Sequence, residues 1–438
     1  MLLQHEGEKM KICVYGLFHL GLVTAASLAD RGFNVIGLDC SIDVVNKLLK
    51  GESPIFEPGL NELLKKGLDS KKLTFTTDSK SALNSADVLW ITYDTPVNSN
   101  DKADTNFVLN HIKDVFGYLK SNTLVLISSQ LPVGSTRKLQ LEYNSCYGVS
   151  STFAYIPENL RLGDALITFN KPDRIIVGID KEGIDKVKEI LKAISSNIVW
   201  MSIESAEMTK HSLNAFLATS ITFANEIAII CEKVGVDYKE VERGLKSDSR
   251  IGKNAYLRAG SAYSGGTLAR DVKFLNDISK LHNIPSVLIK SLRISNEQHK
   301  KWNFITLLKE LGTLKHKRIA VLGLTYKTGT DTLRRSSSIE LCKKLIRYNA
   351  IVTCHDPYIS RLPNTIRTRL QFSNSIMNTI KDSDAIVIAT EHNLYKSLSN
   401  DDICRNIKNP IIIDANRFLE SQLGIDSRIR YISVGRVK

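Results

Sequence analysis

From Lys11 to Met201, short β-branched and apolar runs alternate with stretches whose apolar positions repeat at the helical period. The runs predict strands at residues 11–15, 34–38, 88–92, 123–128, 152–156, 174–177 and 197–201. Alternation of this kind builds a parallel sheet wound with helices. From Glu204 to about Lys300 the strand signals stop and helical periodicity takes over. Residues 206–234 contain neither Gly nor Pro and predict one long helix, with Gly235 as its stop. After Lys315 the alternation returns, with strands predicted at 317–322, 351–354, 385–389 and 411–414. The segment Arg318-Ile-Ala-Val-Leu-Gly-Leu echoes Lys11-Ile-Cys-Val-Tyr-Gly-Leu. The expected class is α/β, with two doubly wound parallel-sheet domains joined by a central helical region. The expected bounds are 1–203, 204–302 and 303–438.

The first predicted strand runs into Gly16-Leu-Phe-His-Leu-Gly21, then a helix-like stretch to Asp30, then a second strand ending at Leu38-Asp39. This is the layout of a Rossmann-like dinucleotide-binding unit. The first Gly makes the tight turn, the last lets helix and strand approach, and the helix N-terminus faces a pyrophosphate. Asp39, 18 residues past Gly21, is placed to hold both adenosine ribose hydroxyls. An acid there repels a 2′-phosphate, so the motif favours NAD over NADP. Phe18 stands where the fingerprint has its middle glycine, and the competing reading is a helix–strand turn with no ligand.

Composition narrows the picture. The 438 residues are 43% hydrophobic and 24% charged, which suits a well-cored globular chain of several domains. No run approaches the roughly 18 consecutive apolar residues of a membrane span. Residues 1–9 lack the apolar core of a signal peptide and are expected to be a dispensable tail. The formal net charge of +13 reads either as a solvated lysine surface or as a field that attracts anionic small molecules. The basic residues form no stripe interleaved with aromatics, which argues against a nucleic-acid partner. The cysteines at 13, 40, 146, 231, 342, 354 and 404 show no metal-ligand or redox spacing, so no metal is expected. They fit a reducing cytoplasm, with Cys13, Cys231 and Cys342 as packing residues.

Further motifs then fall in order along nearly the whole chain. They are Ser53-Pro-Ile-Phe-Glu57-Pro-Gly59-Leu, Asp94-Thr95-Pro96, Pro157-Glu158, Leu160-Arg161 and Pro172-Asp173-Arg174. Ala206-Glu207 through Lys210 follows, then Asn214-Ala-Phe-Leu-Ala and Asp248 to Gly252 with Arg250. The last are Gly323-Leu-Thr-Tyr326-Lys327, Thr330-Asp-Thr-Leu-Arg334, Asp414 and Arg417. In this order and spacing the chain resembles the UDP-glucose/GDP-mannose dehydrogenase family. The resemblance implies an NAD-binding domain, a helical dimerisation region and a nucleotide-sugar-binding domain. It also implies an enzyme that oxidises carbon 6 of the sugar twice, from alcohol to acid. It carries catalytic roles onto Glu158, Lys210, Asn214 and Asp271, with Thr267 at the nucleophile's place. Cofactor contacts fall to Gly16, Phe18, Gly21, Asp39, Thr95, Gln130 and Arg334. Substrate contacts fall to Leu160, Arg161, Arg250, Tyr263, Gly265, Tyr326, Lys327 and Arg417, with Arg250 reaching a partner subunit's sugar. Lys210 and Asn214, four apart, leave one helical face and supply a positive charge and an amide donor for an oxyanion. Asp271 would hold a water as base. A homodimer is implied, with Ala206, Leu213, Leu217, Ile221 and Ala228 as an apolar stripe that also suits intrachain core.

The chain departs from the family where the covalent chemistry lies. The family loop carries glycines, a cysteine and a Lys-Asp pair, and this chain reads Tyr263-Ser-Gly265-Gly266-Thr267-Leu-Ala-Arg270-Asp271. Thr267 takes the place of the cysteine whose thiolate forms a thiohemiacetal and then a thioester. Threonine is a far poorer nucleophile without an adjacent base. Gln130 replaces a threonine that helps order the catalytic water, Ile156 an asparagine and Leu162 a second glutamate. The expectation is an NAD-dependent oxidoreductase acting on a UDP- or GDP-hexose with an impaired step to the acid. An aldehyde or ketone product, epimerisation by transient oxidation, a non-catalytic ligand-binding homologue, and acid formation by a route without cysteine stay open.

Overall fold

The computed structural model describes residues 10–98, 102–149, 151–158, 160–264, 266–363, 370–407 and 409–437. The expected N-terminal tail, residues 1–9, lies outside them. The chain divides into two compact units, Met1–Ser212 and Leu213–Lys438.

The first unit is built on an eight-stranded sheet. Its strands are β1 (Lys11–Tyr15), β2 (Asn34–Leu38), β3 (Leu73–Thr76), β4 (Val88–Ile91), β5 (Leu124–Ile127), β6 (Phe153–Tyr155), β7 (Ile175–Ile179) and β8 (Ile198–Met201). Their order is β3-β2-β1-β4-β5-β6-β7-β8. Central strands are apolar at successive positions because helices cover both faces: Ile12, Cys13 and Val14 are all fully buried. Winding reverses between β1 and β4, which are hydrogen-bonded neighbours, and ligands of such sheets bind at that point. The predicted parallel sheet holds except at β6 and β7, which pair antiparallel.

The second unit holds a six-stranded, all-parallel sheet in the order β11-β10-β9-β12-β13-β14. These strands are β9 (Arg318–Leu322), β10 (Ile351–His355), β11 (Gln371–Phe372), β12 (Ala385–Ile388), β13 (Ile411–Ile413) and β14 (Arg430–Ile432). Its reversal lies between β9 and β12, so the echo read in the sequence is a repeat of fold.

The predicted long helix spans Ile203–Val234. It ends at Gly235, whose φ of +77° is the left-handed stop, and the Val236 N–H reaches back to the Cys231 carbonyl. By length and composition this helix is long and apolar enough to cross a membrane. Yet its Ala215, Ala218, Ala224 and Ala228 are buried, as in the core helix of a packed protein.

The turn after β1 leaves no room for a side chain at Gly21. A Cβ there would sit 2.0 Å from the Gly16 carbonyl oxygen and 2.7 Å from Thr92 Oγ1. Gly21→Ala should destabilise the first unit by about 2 kcal/mol or more. A lowered melting temperature with weakened NAD binding is expected, and an unchanged melting temperature would refute the close approach.

Candidate active site

At the reversal point of the first sheet, Gly16 adopts φ +99° and Thr92 Oγ1 donates to its carbonyl at 2.9 Å. The Asp39 carboxylate accepts the Leu17 N–H at 2.7 Å and the Ser41 N–H at 2.9 Å, which fixes the turn. Each carboxylate oxygen keeps a second lone pair, so Asp39 can still accept from ribose hydroxyls. The following helix, His19–Asp30, starts without a side-chain cap, which leaves its first-turn N–H groups for an anion. Phe18 sits before it at φ −107°, outside the left-handed region that favours glycine, and the residue is 49% exposed. The cradle therefore fits a dinucleotide despite Phe18.

Past β4 and β5, Thr95 Oγ1 donates to the Gln130 carbonyl at 2.5 Å, and both residues are buried. His211, fully buried, donates from Nε2 to the Leu131 carbonyl at 3.0 Å. Glu207, also fully buried, accepts the N–H groups of Gly134 and Thr136. Burial pushes the Glu207 carboxyl up, and those N–H bonds oppose the rise. Glu57 does similar work nearby. It accepts the Gly163 and Ala165 N–H groups at 2.8 Å and pairs with His19 Nε2 at 2.9 Å. Lys210 is buried and donates from Nζ to the Glu158 carbonyl, with Glu158 Oε1 at 3.8 Å. Glu158 also caps its own loop by accepting the Leu160 N–H at 2.7 Å. Leu160 is half-buried and Arg161 exposed.

In the second unit the Asn214 amide donates to the Asp271 carboxylate; Asp271 is fully buried and lies 3.8 Å from Arg270 Nε. Thr267 is the first residue of the helix Thr267–Leu281, one turn before Asp271, and is exposed. Tyr263 is buried, and its backbone is clasped by Asn296 in two bonds of 3.0 Å. Burial pushes its phenol up to about 12. Gly265 lies outside the described residues. Arg250 is exposed and paired with Asp248 at 2.7 Å. Tyr326 and Lys327 are half-buried and Arg334 is exposed. Arg417, at φ +56°, turns its guanidinium to Asp237 at 2.8 Å and to Glu420 at 3.6 Å. Asp414 is buried, accepting from the Tyr431 hydroxyl and from the Leu419 N–H at 2.8 Å.

Sequence reasoning passes over several residues that organise these turns. His211 reads as a stray polar residue on an apolar helix. Asp356 ends the second strand of the repeat, as Asp39 does in the first, and the echo of Gly16-Leu in Gly323-Leu is the signal that finds it. Its carboxylate accepts the Leu324 N–H at 2.7 Å and the Thr325 N–H at 2.9 Å, with His392 Nε2 at 3.2 Å.

Residues 10–198 match the NAD binding domain of the UDP-glucose/GDP-mannose dehydrogenase family, residues 204–298 its central domain and residues 320–421 its UDP binding domain. A UDP-glucose 6-dehydrogenase of Rickettsia conorii is 34% identical over 432 residues, which cover 97% of this chain and 99% of that one. A UDP-glucose dehydrogenase of Pyrobaculum islandicum superimposes with a TM-score of 0.87 at 28% identity, covering 95% of this chain and 96% of that one. A UDP-D-ManNAc dehydrogenase of Pyrococcus horikoshii gives 0.86 at 26% identity, covering 98% and 99%. Fold and matches define an NAD-dependent nucleotide-sugar dehydrogenase with two Rossmann-like domains and a central helical region. The chain belongs to the UDP-glucose/GDP-mannose dehydrogenase family.

The Asp356 turn carries a pH signature. Burial alone would raise this carboxyl, but the His392 bond and the backbone N–H groups outweigh it and hold the pKa at about 2. A folded-state pKa below the unfolded one adds stability that is complete above about pH 4. That stability is lost as the pH falls through about 2. It amounts to about 2 kcal/mol. Asp356→Asn should therefore lower the melting temperature at pH 7, with the gap to wild type narrowing toward pH 2.5. A gap independent of pH would refute the assignment.

Proposed function

We propose that this enzyme oxidises the primary alcohol of a UDP- or GDP-linked hexose with NAD, and that its covalent route from aldehyde to acid is impaired. One observation carries the reading: Asn214 and Asp271 form a buried hydrogen-bonded pair, while the helix position one turn earlier presents the exposed hydroxyl of Thr267. The pair supports alcohol oxidation. Asn214 and Lys210 supply donors to the developing oxyanion, and a water held by Asp271 takes the hydroxyl proton. NAD, when bound, accepts the hydride. Asp39 and the uncapped helix start hold its ribose and pyrophosphate, Thr95 and Gln130 shape the loop beside it, and Arg334 contacts it. Glu158 positions the Lys210 ammonium. Arg161, Arg250, Lys327 and Arg417 supply positive charge for the nucleotide sugar, Leu160, Tyr263 and Tyr326 shape its pocket, and Gly265 is assigned to the substrate by resemblance alone. Thr267 lacks the thiolate that the acid-forming step uses in the family, and a hydroxyl without a base does not replace it.

The active form is proposed to be a homodimer, with domains at 1–203, 204–302 and 303–438 in a cytoplasmic enzyme. The stripe expected to pair is occupied within the chain: Ala206 and Ala228 are fully buried, and Leu213, Leu217 and Ile221 are partly buried. The long helix instead exposes Phe216 (69%), Phe223 (45%) and Ile230 (55%), spaced seven apart on one face. That face suits a second copy. Phe216→Glu with Phe223→Glu should yield monomers by sedimentation, whereas an unchanged mass would place the contact elsewhere.

The reaction is tested with NAD and a panel of UDP- and GDP-hexoses. Wild type should give at most one NADH per sugar and little uronic acid. Thr267→Cys should raise acid formation about tenfold or more, a barrier change of about 1.4 kcal/mol. Two NADH per sugar from wild type would overturn the assignment of Thr267. Ligand binding without any substrate-dependent NADH would favour a non-catalytic homologue instead, and inverted sugar without net NADH an epimerase.

A further inference from the structure

Cys40 directly follows Asp39 and is exposed. Its sulfur lies 3.8 Å from His111 Nε2 and 3.9 Å from the Tyr93 hydroxyl. The imidazole tautomer follows from its other contact. His111 Nδ1 sits 2.8 Å from the Phe107 carbonyl, which can only accept, so Nδ1 carries the proton. Nε2 then faces the thiol with its lone pair. The ring is held in place by Tyr93 and Phe107, at centroid distances of 4.7 Å and 4.4 Å. Tyr93 is buried and donates its O–H to the sulfur.

We propose that Cys40 is a reactive thiol and covalent modification site, activated by His111 and Tyr93, and that its modification and the binding of a dinucleotide exclude each other. A base on one side of a sulfur, able to take its proton as it attacks, and an O–H donor on the other is the arrangement that activates a nucleophile. Burial pushes the Tyr93 phenol far up, so this group remains a donor. The co-reactant is a peroxide or a soft alkylating electrophile. With peroxide, the S–H proton passes to His111 Nε2 and the sulfur attacks one peroxide oxygen. The S–O bond forms, the O–O bond breaks, and the departing hydroxide takes the proton from His111 and leaves as water. Sulfur is oxidised by two electrons to the sulfenic acid, and the peroxide is reduced.

The coupling to cofactor rests on the reading of Asp39 as the ribose acid. Tyr93 joins the two places, since its ring lies against Gly16, 2.8 Å from where a Cβ would be, and its hydroxyl lies on Cys40. An added oxygen or acetamide at Cys40 would stand beside the carboxylate proposed to hold the adenosine ribose.

The chain contains its own control. Cys146 is also exposed, on the helix Ser135–Tyr147, and has no imidazole in hydrogen-bonding reach among the described residues. The full-length protein is treated with iodoacetamide, and separately with hydrogen peroxide, with and without NAD, and modified peptides are followed by mass spectrometry. Cys40 should react about tenfold or more faster than Cys146 at neutral pH, and His111→Ala should abolish that preference. Saturating NAD should protect Cys40 and leave Cys146 unchanged. Alkylated wild type should bind NAD about tenfold more weakly or worse, while treated Cys40→Ser keeps its affinity. Equal rates at the two cysteines, or a preference that survives His111→Ala, would overturn the proposal. So would undiminished NAD binding by alkylated protein. If untreated protein binds no NAD, the reading of Asp39 fails on its own, and the ratio of Cys40 to Cys146 still decides the thiol's character.

Discussion

Asp39, buried at the end of β2, accepts the backbone N–H groups of Leu17 and Ser41, and with the Thr92 bond to the Gly16 carbonyl it fixes the turn after β1 on which the proposed cofactor cradle depends. The same device recurs in several other loops. Asp356 holds Leu324 and Thr325, Asp414 holds Leu419, Glu207 holds Gly134 and Thr136, and Glu57 holds Gly163 and Ala165. A loop at the top of a sheet carries N–H groups that the ladder cannot satisfy, and a buried carboxyl group offers acceptors for them. The reciprocal holds for the carboxylates. Each is buried, and without those N–H donors it would be an unsatisfied polar group away from water. Turn and acid therefore stabilise each other, and the turn's geometry becomes rigid enough to serve a ligand.

Much of this was legible in the sequence, and the gaps have physical causes. Strands buried on both faces announce themselves, as with Ile12 to Val14. The unpredicted strands, β3, β11 and β14, all lie at sheet edges. An edge strand is short and half-solvated, so Leu73-Thr-Phe-Thr or Gln371-Phe372 carries too little apolar signal. Predicted strands that run past the ladder at Thr92, Ser128 and Asp414 do so because those residues are buried yet polar: their side chains hold the turns. The antiparallel direction of β7 depends on the path of residues 157–174, which no periodicity reports.

The site was legible in another way. Gly16, Gly21 and Asp39 are readable from spacing because each answers a backbone requirement. Phe18 is a weaker departure than the fingerprint suggests, since its φ of −107° lies outside the left-handed region and about half of the residue is exposed. His211 escapes because a single imidazole on an apolar helix has no spacing to reveal it. Its bond to the Leu131 carbonyl exists only once β5 is in place.

The distribution of change then bears on the reaction. A chain drifting without selection on its chemistry would lose buried polar pairs readily, since either partner's loss makes the other a liability. Here Lys210 is paired with Glu158, and Asn214 with Asp271; all four residues are charged or polar and three of them are buried. Thr267 is different in kind. It is exposed at a helix start, where a hydroxyl satisfies the fold as well as a thiol would, so folding exerts no pressure toward either. A residue whose identity the fold leaves open is one that chemistry can set, which is why the proposed function turns on Thr267. On the proposed function, those pairs serve hydride removal and Thr267 stands where the acyl-carrying group would be, which would separate the first oxidation from the second.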